Sequence, residues 1–165
     1  MDELRHKLER PFPINQIHWR VGPTNQRSEA RKQNNKNAKA TKGQVLAYID
    51  ARDVMKRLDE VFGVMGWSAT YPRDGYCEIT VYHGDRITTK GNYGTESQME
   101  KEKGQASDAF KRAAVLLGVG RYLYKLHAPW VDLDEWGKFS KADIPQLPAW
   151  ATPEGYDDLI KQREK

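Results

Sequence analysis

Residues 96–124 read ESQMEKEKGQASDAFKRAAVLLGVGRYLY, and their spacing decides how the chain folds. Ala106, Phe110, Ala113, Ala114 and Leu117 recur on one face at helical spacing, so a long helix buries that side. Lys103, Ser107 and Lys111 follow one another at steps of four beside it, with Arg112 and Arg121 after them. One side packs while a neighbouring side carries positive charge. Gly118 and Gly120 interrupt the helix ahead of a compact aromatic and basic run, Arg121-Tyr122-Leu123-Tyr124-Lys125.

A helix with one apolar face needs a surface to cover, and the preceding residues supply a sheet. Residues 67–71 are extended, Pro72-Arg73-Asp74-Gly75 reads as a turn, and residues 76–82 alternate Cys77, Ile79 and Val81 against Glu78, Thr80 and Tyr82. His83-Gly84-Asp85 turns the chain again into a third strand over 86–90. Strands joined this tightly form an antiparallel meander, with residues 91–94 as the hinge to the helix. The expected class is α+β.

Farther upstream, residues 4–10 suit a short helix that stops at Pro11-Phe12-Pro13. Residues 14–21 read as a strand with Ile17, Trp19 and Val21 on one side and Arg20 on the other, ended by Gly22-Pro23. Residues 24–44 are rich in Asn, Gln, Lys and Arg and read as a mobile loop or irregular hairpin. Their Arg27, Arg31, Lys32, Lys36, Lys39 and Lys42 against Glu29 either track a phosphate backbone or form a solvated surface. Residues 45–49 look extended, and Asp50 caps a helix with Asp53 at its third position. Val54, Met55, Leu58, Val61 and Phe62 make the buried stripe, placing Met55 in the core. Asp53 and Arg57 are spaced as a helical ion pair, Arg52 and Arg57 hold neighbouring elements together, and Gly63 ends the helix.

Two regions follow from composition. The 165 residues suit one ordinary core, and residues 1–129 hold 22 Lys/Arg against 15 Asp/Glu. Residues 130–165 hold 5 against 8, with prolines at 129, 145, 148 and 153 among Trp130, Trp136 and Trp150. The expected organisation is a basic core over 1–129 and an acidic strap over 130–165, ordered to about Trp136 and weakly structured beyond. A basic body suggests a polyanionic partner, although solvated surface explains the same charges. Cys77 is the sole cysteine, so an intrachain disulfide is excluded and a reducing, cytoplasmic setting is expected. The absence of a long apolar run or signal-like leader leads to no expectation of membrane insertion or export.

Covalent chemistry finds little support. His6, His18, His83, His127 and Cys77 lack zinc-type spacing, so no metal site is expected. There is no GxxxxGK[ST] segment and no nucleophile elbow, so neither a cofactor nor a catalytic residue is expected. The enzyme alternative is a Mg²⁺-dependent nuclease using Asp74 and Glu78. Ile79-Thr80 after Glu78 lacks the lysine of one common nuclease arrangement, and Glu100 and Glu102 do not share a helix face. Turn formation and sheet-surface solvation account for Asp74 and Glu78.

Four segments carry a resemblance: PFPINQIHWRV at 11–21, AYIDARDVMKRLDEVFGVMGW at 47–67, the Cys77 strand at 76–82, and KGQASDAFKRAAVLLGVGRYLY at 103–124. The chain resembles the Rad52 family of single-strand annealing proteins in its short bacterial and phage form. The resemblance implies a βββα core, with an antiparallel sheet packed on a long helix, assembled as a homo-oligomeric ring. It implies a basic groove for single-stranded DNA, ATP-independent annealing, and a place in recombination or double-strand-break repair in a bacterial or phage-infected cell.

The family's groove arginine falls at Arg20 and its paired helix cations at Lys111 and Arg112. Solvation of Lys111 and pairing of Arg112 with Asp108 are the competing structural readings. Lys103 and Arg121 are candidates by position, and Lys32, Lys36 and Lys39 by charge. Tyr122 and Tyr124 either stack on bases or pack the core and a subunit contact. The short tail argues against recombinase loading; it suits contact with a single-strand-binding or replication protein, or restraint of DNA binding by competition for the groove. A non-annealing adaptor is the third functional reading.

Overall fold

The computed structural model describes residues 2–95 and 101–163, apart from the side chains of residues 2 and 101–103. Helix α1 (Asp2–Glu9) leads through a 3₁₀ turn (Ile14–Gln16) to β1 (His18–Thr24), α2 (Gln26–Lys32) and β2 (Lys42–Tyr48). Then come α3 (Ala51–Phe62), β3 (Trp67–Arg73), β4 (Tyr76–His83), β5 (Arg86–Tyr93) and α4 (Lys101–Leu117). A 3₁₀ segment (Arg121–Lys125), β6 (Trp130–Asp132), two short 3₁₀ turns and α5 (Pro153–Arg163) follow. The strands form two antiparallel sheets, ordered β1-β2-β6 and β3-β4-β5.

The β3-β4-β5 sheet is the expected meander. Its inward residues Cys77, Ile79 and Val81 are buried, and α4 packs over β4 and β5 with Ala109, Phe110, Ala113 and Ala114 buried. The small residues let the helix approach closely, while Phe110 meets Trp67 with ring centroids 5.9 Å apart. Residues 91–93 belong to β5, so the hinge expected over 91–94 is strand except at its end. There Gly94 lies so close to α4 that an added Cβ would strike the backbone of Gln105 and Ala109. Gly118 and Gly120 have φ of 111° and 69°, which ends α4 where the sequence placed its interruption.

Several expectations change in the first half of the chain. Residues 14–16 form a 3₁₀ turn, and β1 continues through Gly22-Pro23 with a register shift between Val21 and Thr24. An edge position and a bulge accommodate a proline that a central strand would exclude. The expected loop at 24–44 contains α2, whose sequence QRSEARK consists largely of good helix formers. The helix buries no residue, so its sequence carries no apolar stripe to mark it. Asn25 anchors the hairpin base: its side-chain oxygen accepts from the amides of Thr41 and Lys42, both at 2.9 Å.

Asp50 does occupy the N-cap position of α3, and Gly63 ends the helix with φ 82°. The Asp50 side chain makes no capping hydrogen bond and turns instead to His18 at 3.3 Å. Met55 is 39% exposed and is not in the core, because it lies at the edge of the stripe that buries Val54 and Leu58. Arg57 is 6% exposed, and the carboxylate it meets is Glu60 at 3.8 Å in place of the expected Asp53. Its guanidinium donates to the carbonyls of Lys7, Leu8, Arg10 and Pro11 and lies 4.3 Å from the Phe12 ring centroid. It thereby ties α3 to the segment leaving α1. Burial pushes the Arg57 pKa down, with Glu60 at 3.8 Å opposing that shift.

The final segment is more structured than its prolines suggest. β6 extends the first sheet through Lys42–Asp132, Gly43–Val131 and Gln44–Trp130 pairing. Beyond Trp136, where a weakly ordered tail was expected, Ala151 is fully buried and Trp150 packs against the same core. Helix α5 is held to the N-terminal segment by a two-toothed ion pair from Arg10 to Asp157 at 2.9 and 2.8 Å. Burial of a few apolar groups outweighs the segment's acidic composition.

Candidate nucleic-acid interface

Strand alternation sets the first wall of the groove. His18 pairs with Tyr48 and Arg20 with Leu46, so cross-strand register puts Arg20 and Tyr48 on one face of the β1–β2 pair. The second wall is the charged flank of α4 with the 3₁₀ segment after it. Between them lies a groove of about 380 Å³ whose lining includes Arg20, Tyr48, Lys111, Arg112, Tyr124 and His127.

Lys111 stands at the junction of the two walls. It is half-buried, donates to the Ile49 carbonyl at 3.3 Å, and places its ammonium 5.6 Å from the Tyr48 ring centroid. Burial pushes its pKa below the ordinary lysine value. Asp108 and Asp50 work against that shift, and the charges of Arg20 and Arg112 work with it.

Arg112 is oriented by Asp108, to which it donates at 2.8 Å. Asp108 also accepts from the amide and hydroxyl of Thr95, at 2.8 and 2.9 Å. Burial pushes the Asp108 pKa up, but the Thr95 and Arg112 hydrogen bonds outweigh it and hold the carboxyl below its ordinary value. The carboxylate is therefore engaged in positioning Arg112 and the end of the meander. The two readings of Arg112, paired residue and groove residue, describe the same side chain.

Comparison with known proteins bears on the groove. The model of the family described as Rad52/22 family double-strand break repair protein matches residues 1–74. The single-stranded DNA-binding protein DdrA of Deinococcus radiodurans is 32% identical over 167 residues, covering 93% of this chain and 70% of that protein. This chain belongs to the Rad52/22 family. DdrA of Deinococcus deserti is 33% identical, covering 93% of this chain and 72% of its own length.

In this Rad52/22-family chain the other basic residues singled out by sequence and described in the structure, Arg121, Lys32, Lys36 and Lys39, are not among those lining the groove. Arg121 closes the end of α4, donating to the carbonyls of Val115 and Leu116 and reaching Glu9 at 3.4 Å. Lys32 pairs with Glu29 at 3.0 Å, and Lys39 donates to the Glu135 carbonyl at 3.3 Å. Lys36 is exposed beside them, and the Lys103 side chain lies outside the described residues. Of the two tyrosines weighed for stacking, Tyr122 is buried, accepting from the Phe12 amide at 3.1 Å, whereas Tyr124 is 69% exposed in the groove.

Tyr48 and His127 are groove residues that the sequence reading missed. Parity with Leu46, the partner of Arg20, was the signal available for Tyr48 once the strands were paired. His127 follows an irregular segment and carried no such signal. The expectation of no metal site meets one exception: pairing of β1 with β2 and the start of α3 brings His18, Asp50 and Asp53 together. One potential ligand atom from each lies within 4.8 Å of the others. Among the described residues no helix is long and apolar enough to cross a membrane.

Proposed function

We propose that this protein binds single-stranded DNA in the groove and anneals complementary strands without ATP, serving homologous recombination or double-strand-break repair. The carrying observation is the convergence of Arg20, Lys111 and Arg112 on an open groove that also presents Tyr48 and Tyr124. Asp108, the carboxylate in its lining, is already bonded to Arg112 and Thr95. An anionic strand brought against Lys111 restores a counter-charge near a half-buried ammonium. The tyrosine rings accept bases irrespective of sequence. Watson–Crick pairing with a second strand then supplies selectivity, and the protein forms and breaks no covalent bond.

Assembly into a homo-oligomeric ring would join successive grooves and pair exposed sheet edges. The setting is the cytoplasm of a bacterial or phage-infected cell. The C-terminal segment provides a surface for a single-strand-binding or replication protein, although its folding onto the core limits its reach.

The test is annealing of complementary oligonucleotides by the purified protein, with its native mass measured alongside. Acceleration by the parent and about tenfold weaker single-strand binding by Lys111→Ala are expected. The magnitude of the salt slope should fall by about 0.7 in the variant. Unchanged affinity and slope would remove Lys111 from the interface. The His18-Asp50-Asp53 cluster motivates a second arm with Mg²⁺, in which shortening of a labelled strand would favour the nuclease reading.

A further inference from the structure

At the far end of the first sheet from the Arg20–Leu46 pair, an exposed indole is held in a closed turn. Trp136 is 77% exposed, which leaves most of its ring open to solvent. The turn is nonetheless ordered by its own hydrogen bonds. The Asp134 carboxylate accepts from the amides of Trp136 and Lys138 at 2.9 and 2.8 Å. The Asp134 amide donates to the Lys138 carbonyl at 2.9 Å, and Gly137 supplies a φ of 74°. The indole is thus presented from a fixed support.

The same turn is bound to the basic hairpin. Leu133 donates its amide to the Thr41 carbonyl at 2.8 Å, and Lys39 reaches the Glu135 carbonyl at 3.3 Å. Of the acidic groups at this tip, Glu29 holds Lys32, Asp132 lies 3.6 Å from Lys42, and Asp134 is turned to its loop amides. Glu135 remains as an opposing charge. Among the described residues, no carboxylate stands within ion-pair distance of Arg27, Arg31, Lys36 or Lys138. An exposed ring carried on an ordered turn, with Lys138 in that turn and Lys39 of the basic hairpin bonded to it, matches the two demands of an unpaired nucleotide: a face to stack on and charge for its phosphate.

We propose that the Trp136 turn and the tip of the β1–β2 hairpin form a second contact for single-stranded nucleic acid. The indole stacks on an unpaired base, while Lys36, Lys39 and Lys138 hold neighbouring phosphates. This contact rests on single-strand binding by the groove and extends it. From Leu46 beside Arg20 to Lys42 beside Asp132 is four residues of strand, about 13 Å. A strand leaving the groove along β2 passes toward the tip, so the second contact engages only strands long enough to reach it.

Binding of oligothymidylates of roughly 6 and 30 nucleotides provides the test. Trp136→Ala should weaken the long oligonucleotide about tenfold and leave the short one unchanged. Trp136→Phe should recover most of that loss, because a smaller aromatic face still stacks. Lys36→Ala with Lys39→Ala should reduce the salt slope for the long oligonucleotide only. A blunt duplex should show no loss on Trp136→Ala, since its bases offer no free face along their length.

Unchanged binding of the long strand by Trp136→Ala, while Lys111→Ala still weakens both, overturns the second contact and leaves the groove intact. A changed native mass with unchanged affinity assigns the indole to a contact between copies and also overturns it. Failure of the unaltered protein to bind either oligonucleotide overturns the groove reading and this extension together.

Discussion

Arg57 and Lys111 both withdraw a positive charge from water, but their surroundings put those charges to different uses. Arg57 is almost fully buried and distributes its donors over four backbone carbonyls, with the Phe12 ring against it. Lys111 is half-buried with a single carbonyl bond, faces Arg20 on the other wall of an open groove and has Arg112 beside it on its own helix. A cation closed in by backbone oxygens holds elements together. One left partly desolvated among like charges is suited to receiving an anion. Residue type alone does not separate these roles; the geometry of the neighbouring acceptors does.

The largest effect should come from removing the enclosed cation. Arg57→Ala leaves several carbonyls without their donor and removes a ring contact, at a cost of about 3 kcal/mol. Chemical denaturation should show the loss, with DNA affinity of the remaining folded protein little changed. If Lys111→Ala destabilised equally, the contrast between the two sites would fail.

Alkaline pH sharpens the same contrast. The folded pKa of Lys111 lies below its ordinary value, so its penalty is fully present below that folded pKa. As pH rises between the folded and unfolded pKa values, the unfolded chain holds more protons and this contribution to stability improves. DNA affinity should move in the opposite direction, because the ammonium is lost. The parent should weaken several-fold relative to Lys111→Arg as pH approaches the ordinary lysine value of 10.5. Parallel titrations of single-strand binding by the two proteins would reveal any difference.

The smallest effect belongs to the Arg10–Asp157 pair, whose side chains are 41% and 40% exposed. Breaking it should cost about 0.5 kcal/mol in a double-mutant cycle, with salt reducing that value. The Arg10 hydrogen bond holds Asp157 below its ordinary 3.8. Its contribution is therefore present above that value and lost as pH falls through the folded pKa. A large loss would mean that α5 is secured mainly by this pair, rather than by the buried contacts around Ala151 and Trp150.

Much of the meander was legible because its signals are local. Alternation around Ile79, the turns at Gly75 and Gly84, and the buried face of α4 all belong to neighbouring stretches of chain. Charge density was less reliable: QRSEARK looked unstructured although its helix propensity is good. The helical stripe placed Met55 too deep, because periodicity gives a direction around the helix and not the width of its cover. At the candidate site, Arg20, Lys111 and Arg112 were named from resemblance and helix position. Tyr48 required strand register, and the roles of Arg57 and Arg121 required knowing which distant carbonyls they meet.

The amino-acid order alone determined the alternation of the meander, the apolar and basic flanks of the long helix, and the glycine break after it, since each depends on residues close in sequence. Only the tertiary structure decided that Arg20 faces Lys111, that the Trp136 turn lies against the basic hairpin, and that Asp108 is already engaged. Those facts depend on strand register and helix placement, where a shift of one residue sends a side chain to the opposite face. Local physics selected the elements; long-range packing selected the neighbours that give each charge its use.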